Sequence, residues 1–335
     1  MNPRTERHIR RVTSVVIASA VAGLTYALIQ GYSTVASIAT AIGHGVAISL
    51  TLSIFEVFVQ TGAARDWVRR LPFTVSFLLR SAIYAAVILA VQVAFIKIRS
   101  GSIGPDRPPE FWNAAAFSAI ASIAVNFVVE ISNLLGRRTF SNFLTGRYHN
   151  PVEENRFVLF VDIVGSTSLA ERLGGIGIHR FLDRTFRVLT ESVVDYRGEV
   201  LDYVGDGLIV TGSEAGGAVD CRPLRCFLAM RDTLRQFQAR FEKEFGVAPR
   251  IRGSLHFGPV IVGEIGDIKR AIVFNGDVMN TAARLEELSR DVDGGFVASR
   301  AAIDRFKSEP PIALLDLGVR DIRGRSGGIA VTGLA

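Results

Sequence analysis

The chain has 335 residues, 49% hydrophobic and 21% charged, with a net charge of +6. Its mean hydropathy of +0.31 is high for a wholly soluble protein, and 22 Phe with a large aliphatic content exclude a disordered chain. The length suits two domains, and Cys221 and Cys226, the two cysteines, form neither a disulfide framework nor a zinc site and read as reduced thiols of a cytosolic domain.

Residues 1–136 carry four apolar stretches, about Val12–Tyr32, Thr34–Gly62, Phe73–Ile96 and Trp112–Gly136. Each meets the roughly 20 residues that cross a bilayer as a helix, and none shows a continuous polar stripe. They predict an all-α four-helix transmembrane bundle. Loop cations set the orientation. Arg4, Arg7, Arg10 and Arg11 precede the first span, Arg65, Arg69 and Arg70 fill the second loop, and Arg137 and Arg138 follow the fourth span. The first loop, around Ser33, is uncharged, and the third sets Lys97, Arg99 and Arg107 against Asp106 and Glu110. This pattern places both termini in the cytoplasm, with the plasma (inner) membrane bilayer as a partner. Much of the basic excess is then topological, so nucleic acid is not expected as a partner. The alternative, a cleaved signal peptide, is disfavoured by an apolar run longer than a usual signal core.

Three ionisable residues, Glu56, Arg80 and Glu130, lie inside the spans at roughly one depth. Charges there are costly and usually paired. They predict a polar cluster that either holds the helices together or transmits a signal. His44, deeper in the second span, is a lone candidate ligand.

After the fourth span the composition turns polar and basic. Residues 137–155 predict a short helix, then a turn at Asn150-Pro151, and serve either as a coupling segment or as a passive tether. Residues 156–335 predict a soluble domain of mixed strands and helices. Its expected elements are a buried strand at Phe157–Val161, a helix at Ser166–Tyr196, and a hairpin around Val204-Gly205-Asp206-Gly207. A long helix follows at about Ala218–Phe245. Strands are then expected at Arg250–Phe257 and Val260–Glu264 around a Gly258-Pro259 turn, and at Arg270–Phe274. A helix at Asp277–Ser289 and strands in the last 25 or so residues complete the domain.

Asp162 ends an apolar strand and Asp206 sits in a hairpin turn. Two carboxylates at strand ends beside small residues suit a hard cation. Gly165, Ser166 and Thr167 open a helix whose backbone N–H groups can hold phosphate. No Gly-Lys-Ser/Thr follows, so this is not a P-loop. Asn280 and Arg284 are spaced i, i+4 and share a helix face. The amide can orient a hydroxyl, and the guanidinium offers a fork for phosphate oxygens.

In order along the chain, Phe160-Val161-Asp162-Ile163-Val164-Gly165-Ser166-Thr167, Tyr203-Val204-Gly205-Asp206-Gly207, His256-Phe257-Gly258-Pro259-Val260 with Gly263 and Gly266, and Gly276-Asp277-Val278-Met279-Asn280-Thr281-Ala282-Ala283-Arg284 resemble the motifs of the class III nucleotidyl cyclases. The lead-in Gly146-Arg147-Tyr148-His149-Asn150-Pro151 looks like a bacterial membrane-anchored branch of that family. The resemblance implies an α+β catalytic domain with a ferredoxin-like βαββαβ core over residues 156–335, working as a homodimer. It implies two divalent cations, Mg²⁺ or Mn²⁺, held by Asp162, Asp206 and the Ile163 carbonyl of one subunit, with Asn280 and Arg284 supplied by the other. The ribose 3′-hydroxyl would attack the α-phosphate and pyrophosphate would leave, with Arg284 neutralising phosphoryl charge, worth on the order of 10³ or more in rate. Arg323 and Arg325 lie where the family often places a Lys for the triphosphate.

The base-specifying positions depart from the family pattern. Asp202 stands where adenylate cyclases usually carry Lys, and Val273 where they carry Asp or Thr. The hydrogen-bond complement that discriminates adenine is not visible. Lys269 shares the expected strand face of Val273, about 13 Å away along a straight strand. The expected function is a membrane-anchored adenylate cyclase making cyclic AMP from ATP. The alternatives are a guanylate cyclase acting on GTP, because Asp202 is acidic, and a catalytically silent sensor with a nucleotide-binding domain. A transporter leaves the soluble half unexplained. A diguanylate cyclase lacks its Gly-Gly-Asp/Glu-Glu-Phe hairpin signature.

Overall fold

Apolar runs that cannot hydrogen-bond to lipid must satisfy their backbone within the segment, and so fold as helices. In the computed structural model, which describes residues 3–31, 33–59, 71–100, 109–268, 270–323 and 327–334, the chain divides into two units, Met1–Phe140 and Ser141–Ala335.

The first unit holds α1 (Pro3–Ile29), α2 (Val35–Val59), α3 (Phe73–Ser100) and α4 (Pro109–Leu135). Among the described residues, Val35–Ser53, Phe73–Ala94 and Phe111–Ser132 are long and apolar enough to cross a membrane. The apolar part of α1 is the shorter Val16–Ile29, because its first three turns carry the arginine cluster. The helices α1 and α2 meet backbone to backbone. A Cβ on Gly45 would lie 2.6 Å from the Ser19 carbonyl oxygen, and one on Gly23 equally close to that of Ala41. Small residues at a helix contact allow this approach, and Ser19 hydrogen-bonds Ser49 across it. Between α3 and α4, Arg80 and Glu130 form an ion pair at 2.6 Å, and Asn126 donates to Ser81 at 3.2 Å. Two of the three expected intramembrane charges thus pair. The side chain of Glu56 lies outside the described residues. His44 sets its Nδ1 3.1 Å from the Thr40 carbonyl oxygen, one turn back on its own helix.

The helix α5 (Arg137–Thr145) follows, and the second unit then builds one sheet from β1 (Val152–Ile163), β2 (Glu199–Val204), β3 (Gly207–Ser213), β4 (Ile251–Ile265), β5 (Ala271–Asn275), β6 (Phe296–Ser299), β7 (Leu314–Arg320) and β8 (Ile329–Leu334). The order is β2-β3-β1-β4-β6-β8-β7, with β5 paired to β4. On one face lie α6 (Ser166–Asp195) and α7 (Arg222–Phe245), over a core that includes Phe157, Leu159, Phe181, Phe227 and Phe296. On the other lies α8 (Asp277–Leu288), which sets Val278 and Ala282 over Val158, Val260 and Val262.

Three expectations are corrected. The Gly258-Pro259 pair does not turn the chain: β4 runs unbroken through it, with Pro259 opposite Asn155 of β1. On its other side β4 pairs with β6 only at Gly253–Leu255 and with β5 only from Ile261. Pro259 falls in the gap, where a missing N–H need cost no ladder bond. The long helix starts at Arg222 rather than Ala218, because Asp220 and Cys221 take left-handed backbone, φ 56° and 48°, which no helix propagates through. The strand β6 was not expected: four buried residues are too short a run to show a period.

The end of the expected coupling segment is built into the sheet. Residues from Val152 belong to β1, and Tyr148 is buried in the core under α8. Arg156, fully buried, bonds the Tyr148 hydroxyl at 3.0 Å, Glu154 at 2.8 Å and Glu199 of β2 at 3.3 Å, and lies 5.1 Å from the Phe274 ring of β5. Both cysteines are free and buried. Burial, then the Asp195 charge, pushes the Cys226 thiol up, away from reactivity.

Candidate active site

Strand alternation decides where Asp162 points. Phe157, Leu159, Val161 and Ile163 enter the core under α6 and α7, so Val158, Phe160 and Asp162 face α8. The ladder sets Arg252 of β4 opposite Asp162 on one side and Gly207 of β3 on the other. Asp206, in the turn just before Gly207, is thereby brought close enough to Asp162 for its charge to act on it. Sequence placed both carboxylates at strand ends; the register makes them neighbours.

Three side chains, Arg252, Glu286 and Ser166, surround this pair. Arg252 donates to Asp162 through one end of its guanidinium, and its Nε donates to Glu286 of α8 at 2.7 Å. Ser166 donates to Asp206. Burial, then the charges of Glu286 and Asp206, push the Asp162 carboxyl up to about 6, and Arg252 pulls the other way without cancelling them. Three carboxylates thus lie around one guanidinium, which bonds two of them, and the cluster holds surplus negative charge. Its donors are all oxygen, which fits a hard divalent cation. Among the described residues no group of three or more His, Cys, Asp or Glu side chains is placed to hold a metal. Such a cation would rest on Asp162, Asp206 and a backbone carbonyl such as that of Ile163, with water or a ligand completing its shell, the chemistry of polarising a phosphoryl oxygen.

The helix α6 starts beside these carboxylates. Gly165 caps it in left-handed backbone, φ 74°, with no side-chain cap, leaving its first-turn N–H groups uncapped by a side chain and aimed outward. Ser166 is committed to Asp206, and Thr167 is exposed.

The pair Asn280 and Arg284 is not brought to the carboxylates in one chain. The helix α8 buries Val278, Thr281, Ala282 and Leu285, and its Glu286 reaches Arg252. Arg284 is two residues before Glu286, about 200° round the helix at 3.6 residues per turn. Asn280 is exposed and Arg284 half-buried. Asp202 is exposed on β2, past a bulge, and accepts from the Tyr203 N–H at 2.8 Å. Val273 is half-buried in β5, opposite Gly263. Arg323 is exposed after buried Ile322. Arg325 and Lys269 lie outside the described residues.

Sequence reading missed Arg252 and Glu286. A signal for Arg252 existed: it is a lone cation in the apolar run Ile251–Phe257, and buried cations demand partners. Which partner it takes depends on cross-strand register, which no local pattern states. Glu286 lay unremarked beside Arg284.

The profile of the adenylate and guanylate cyclase catalytic domain matches residues 149–301. Adenylate cyclase 2 of Rhizobium meliloti (strain 1021) is 34% identical over 251 residues, 75% of this chain and 68% of that protein. That alignment is longer than the whole second unit, so the likeness extends into the membrane unit. An adenylate cyclase of Anabaena cylindrica is 25% identical over 52% of this chain, which spans only 35% of that relative. The structure of a bacterial light-regulated adenylyl cyclase shares the fold, with a TM-score of 0.54 at 20% identity over 64% of this chain and 63% of its own. The carboxylate pair at the end of β1 thus belongs to a recognised catalytic domain, and the chain is a member of the adenylate and guanylate cyclase family, a nucleotidyl cyclase.

Proposed function

We propose that the chain is a membrane-anchored adenylate cyclase that converts ATP to cyclic AMP and pyrophosphate at sites shared by two copies of itself. The observation that carries this is the division of the machinery on α8. Glu286 faces the carboxylates of its own chain through Arg252, whereas Arg284 and Asn280 point elsewhere and need a second chain to serve. In a symmetric dimer each face is presented twice, so one arrangement completes two sites.

Asp162 and Asp206 would hold two divalent cations, Mg²⁺ or Mn²⁺, against the triphosphate. The uncapped start of α6, from Gly165 through Thr167, would take phosphate oxygens. Asn280 of the second copy would orient the ribose, and its Arg284 would meet charge growing on the α-phosphate as the 3′-hydroxyl attacks. Arg323 is a further cation within reach of a triphosphate tail in this reading. The curated relatives' names favour ATP. Asp202 keeps GTP as a second reading, because a carboxylate accepts from guanine N1–H and N2–H.

Full-length protein in membranes, given ATP or GTP with Mn²⁺, is expected to release cyclic AMP. Asp162→Ala and Arg284→Ala are each expected to be silent. Co-expressed in equal amounts they should recover about a quarter of wild-type turnover, since half the dimers are mixed and each holds one intact site of two. No recovery would sink the shared site. Cyclic GMP as product would transfer base reading to Asp202.

The bundle's cation pattern supports cytoplasmic N- and C-termini in the plasma (inner) membrane, and residues 137–155 as the link through which the bundle sets how two catalytic domains meet.

A further inference from the structure

Asp162 already has a cation. The Arg252 guanidinium holds it while its Nε holds Glu286 at 2.7 Å. All three side chains are largely out of solvent, with 16%, 13% and 12% exposure for Arg252, Asp162 and Glu286. The two ends of the fork are engaged separately, so one bond can break while the other anchors the group. Lysine, a single point charge, could not divide itself in this way. A divalent cation at Asp162 would need the same carboxylate that Arg252 now neutralises, and two cations do not share a half-buried carboxylate without repulsion.

We infer that Arg252 is the resident counter-ion of the metal site, displaced from Asp162 when a divalent cation arrives, and that Glu286 is the positioning residue that retains it. Arg252 thereby sets the affinity for metal, and Glu286 acts on that affinity through Arg252. The anchor sits on α8, the helix that also bears Asn280 and Arg284. This inference rests on the reading that Asp162 and Asp206 hold divalent cations.

The test is Mn²⁺ binding to full-length protein in detergent, without nucleotide, counted from the electron paramagnetic resonance of free Mn²⁺. Arg252→Gln removes the competitor and should tighten binding on the order of tenfold. Arg252→Lys keeps the charge but not the divided hold on Glu286, so its affinity should differ from wild type. Glu286→Gln should weaken binding by a similar factor. The double variant should behave as Arg252→Gln alone, because Glu286 then has nothing to hold. Unchanged or weaker binding by Arg252→Gln, or two effects that merely add, overturns the inference. Should Arg252→Gln fail to fold, Glu286→Gln decides, and wild-type affinity there overturns it. Asp162→Asn is run alongside. If it binds Mn²⁺ as wild type does, the metal reading itself fails, and that failure is distinct from failure at Arg252.

Discussion

At the scale of residues, Asp162 carries the most information. Its carboxyl is raised to about 6 by burial, by Glu286 and by Asp206. A raised acid is stabilised in its protonated form, so its contribution to stability is complete below its ordinary value near 3.8 and disappears as pH rises through about 6. Metal-free protein is therefore expected to gain stability when Asp162→Asn removes the charge, by on the order of 3 kcal/mol at neutral pH and by little at pH ~4. Thermal unfolding in chelator at the two pH values measures the difference. A neutral-pH midpoint for Asp162→Asn at or below wild type would contradict the strain assigned to this carboxylate. Functional sites commonly hold such locally unfavourable charge.

At the scale of elements, β1 does three jobs by alternation. Its odd residues build the core under α6 and α7, its even residues face α8, and its end delivers Asp162. Arg156 belongs to the even set. It is the hub that fastens Tyr148, β2 and β5 to β1. These are the strands that carry Asp202 and Val273. A fully buried guanidinium with two carboxylate partners leaves uncompensated charge behind when it is removed. Arg156→Met should cost about 3–5 kcal/mol, read by thermal unfolding of the catalytic unit. Arg156→Lys should rescue little, because an ammonium cannot reproduce the fork. Full rescue by Lys would show that charge alone, and not geometry, is needed there. The helix α8 shows the complementary lesson. One face packs, one edge reaches Arg252, and the remaining face carries Asn280 and Arg284 away from their own chain's carboxylates.

At the scale of the whole molecule, a helical unit whose described spans expose large apolar side chains such as Leu78, Ile120 and Val125 precedes a unit with a fully formed double-faced core. Apolar surface of that extent requires lipid or protein cover. The pattern of loop cations predicts that a C-terminal tag is digested by protease in inverted vesicles and protected in right-side-out ones. Protection in inverted vesicles would reverse the orientation and place the catalytic unit away from cytoplasmic nucleotide. Arg80 and Glu130 pair within the helical unit at 2.6 Å, as an ion pair in hydrocarbon must.

The sequence by itself determined the two halves, the apolar helices and most elements of the catalytic unit, because hydrophobic period and turn residues are local properties. It also marked Asp162, Asp206, Asn280 and Arg284 as chemistry-bearing, through their neighbours along the chain. It misjudged Gly258-Pro259, where a turn-forming pair sits inside a strand because β4 has a single partner at that point. It was silent on Arg252 and Glu286, and on the hub at Arg156. Only the tertiary structure decided these, because cross-strand register and helix rotation bring together residues as far apart as Asp162 and Glu286. No local pattern encodes which of a buried cation's possible partners lies across the ladder. The same rotation about α8 turns Arg284 from its own chain's carboxylates, and so makes a second copy necessary to the site we propose.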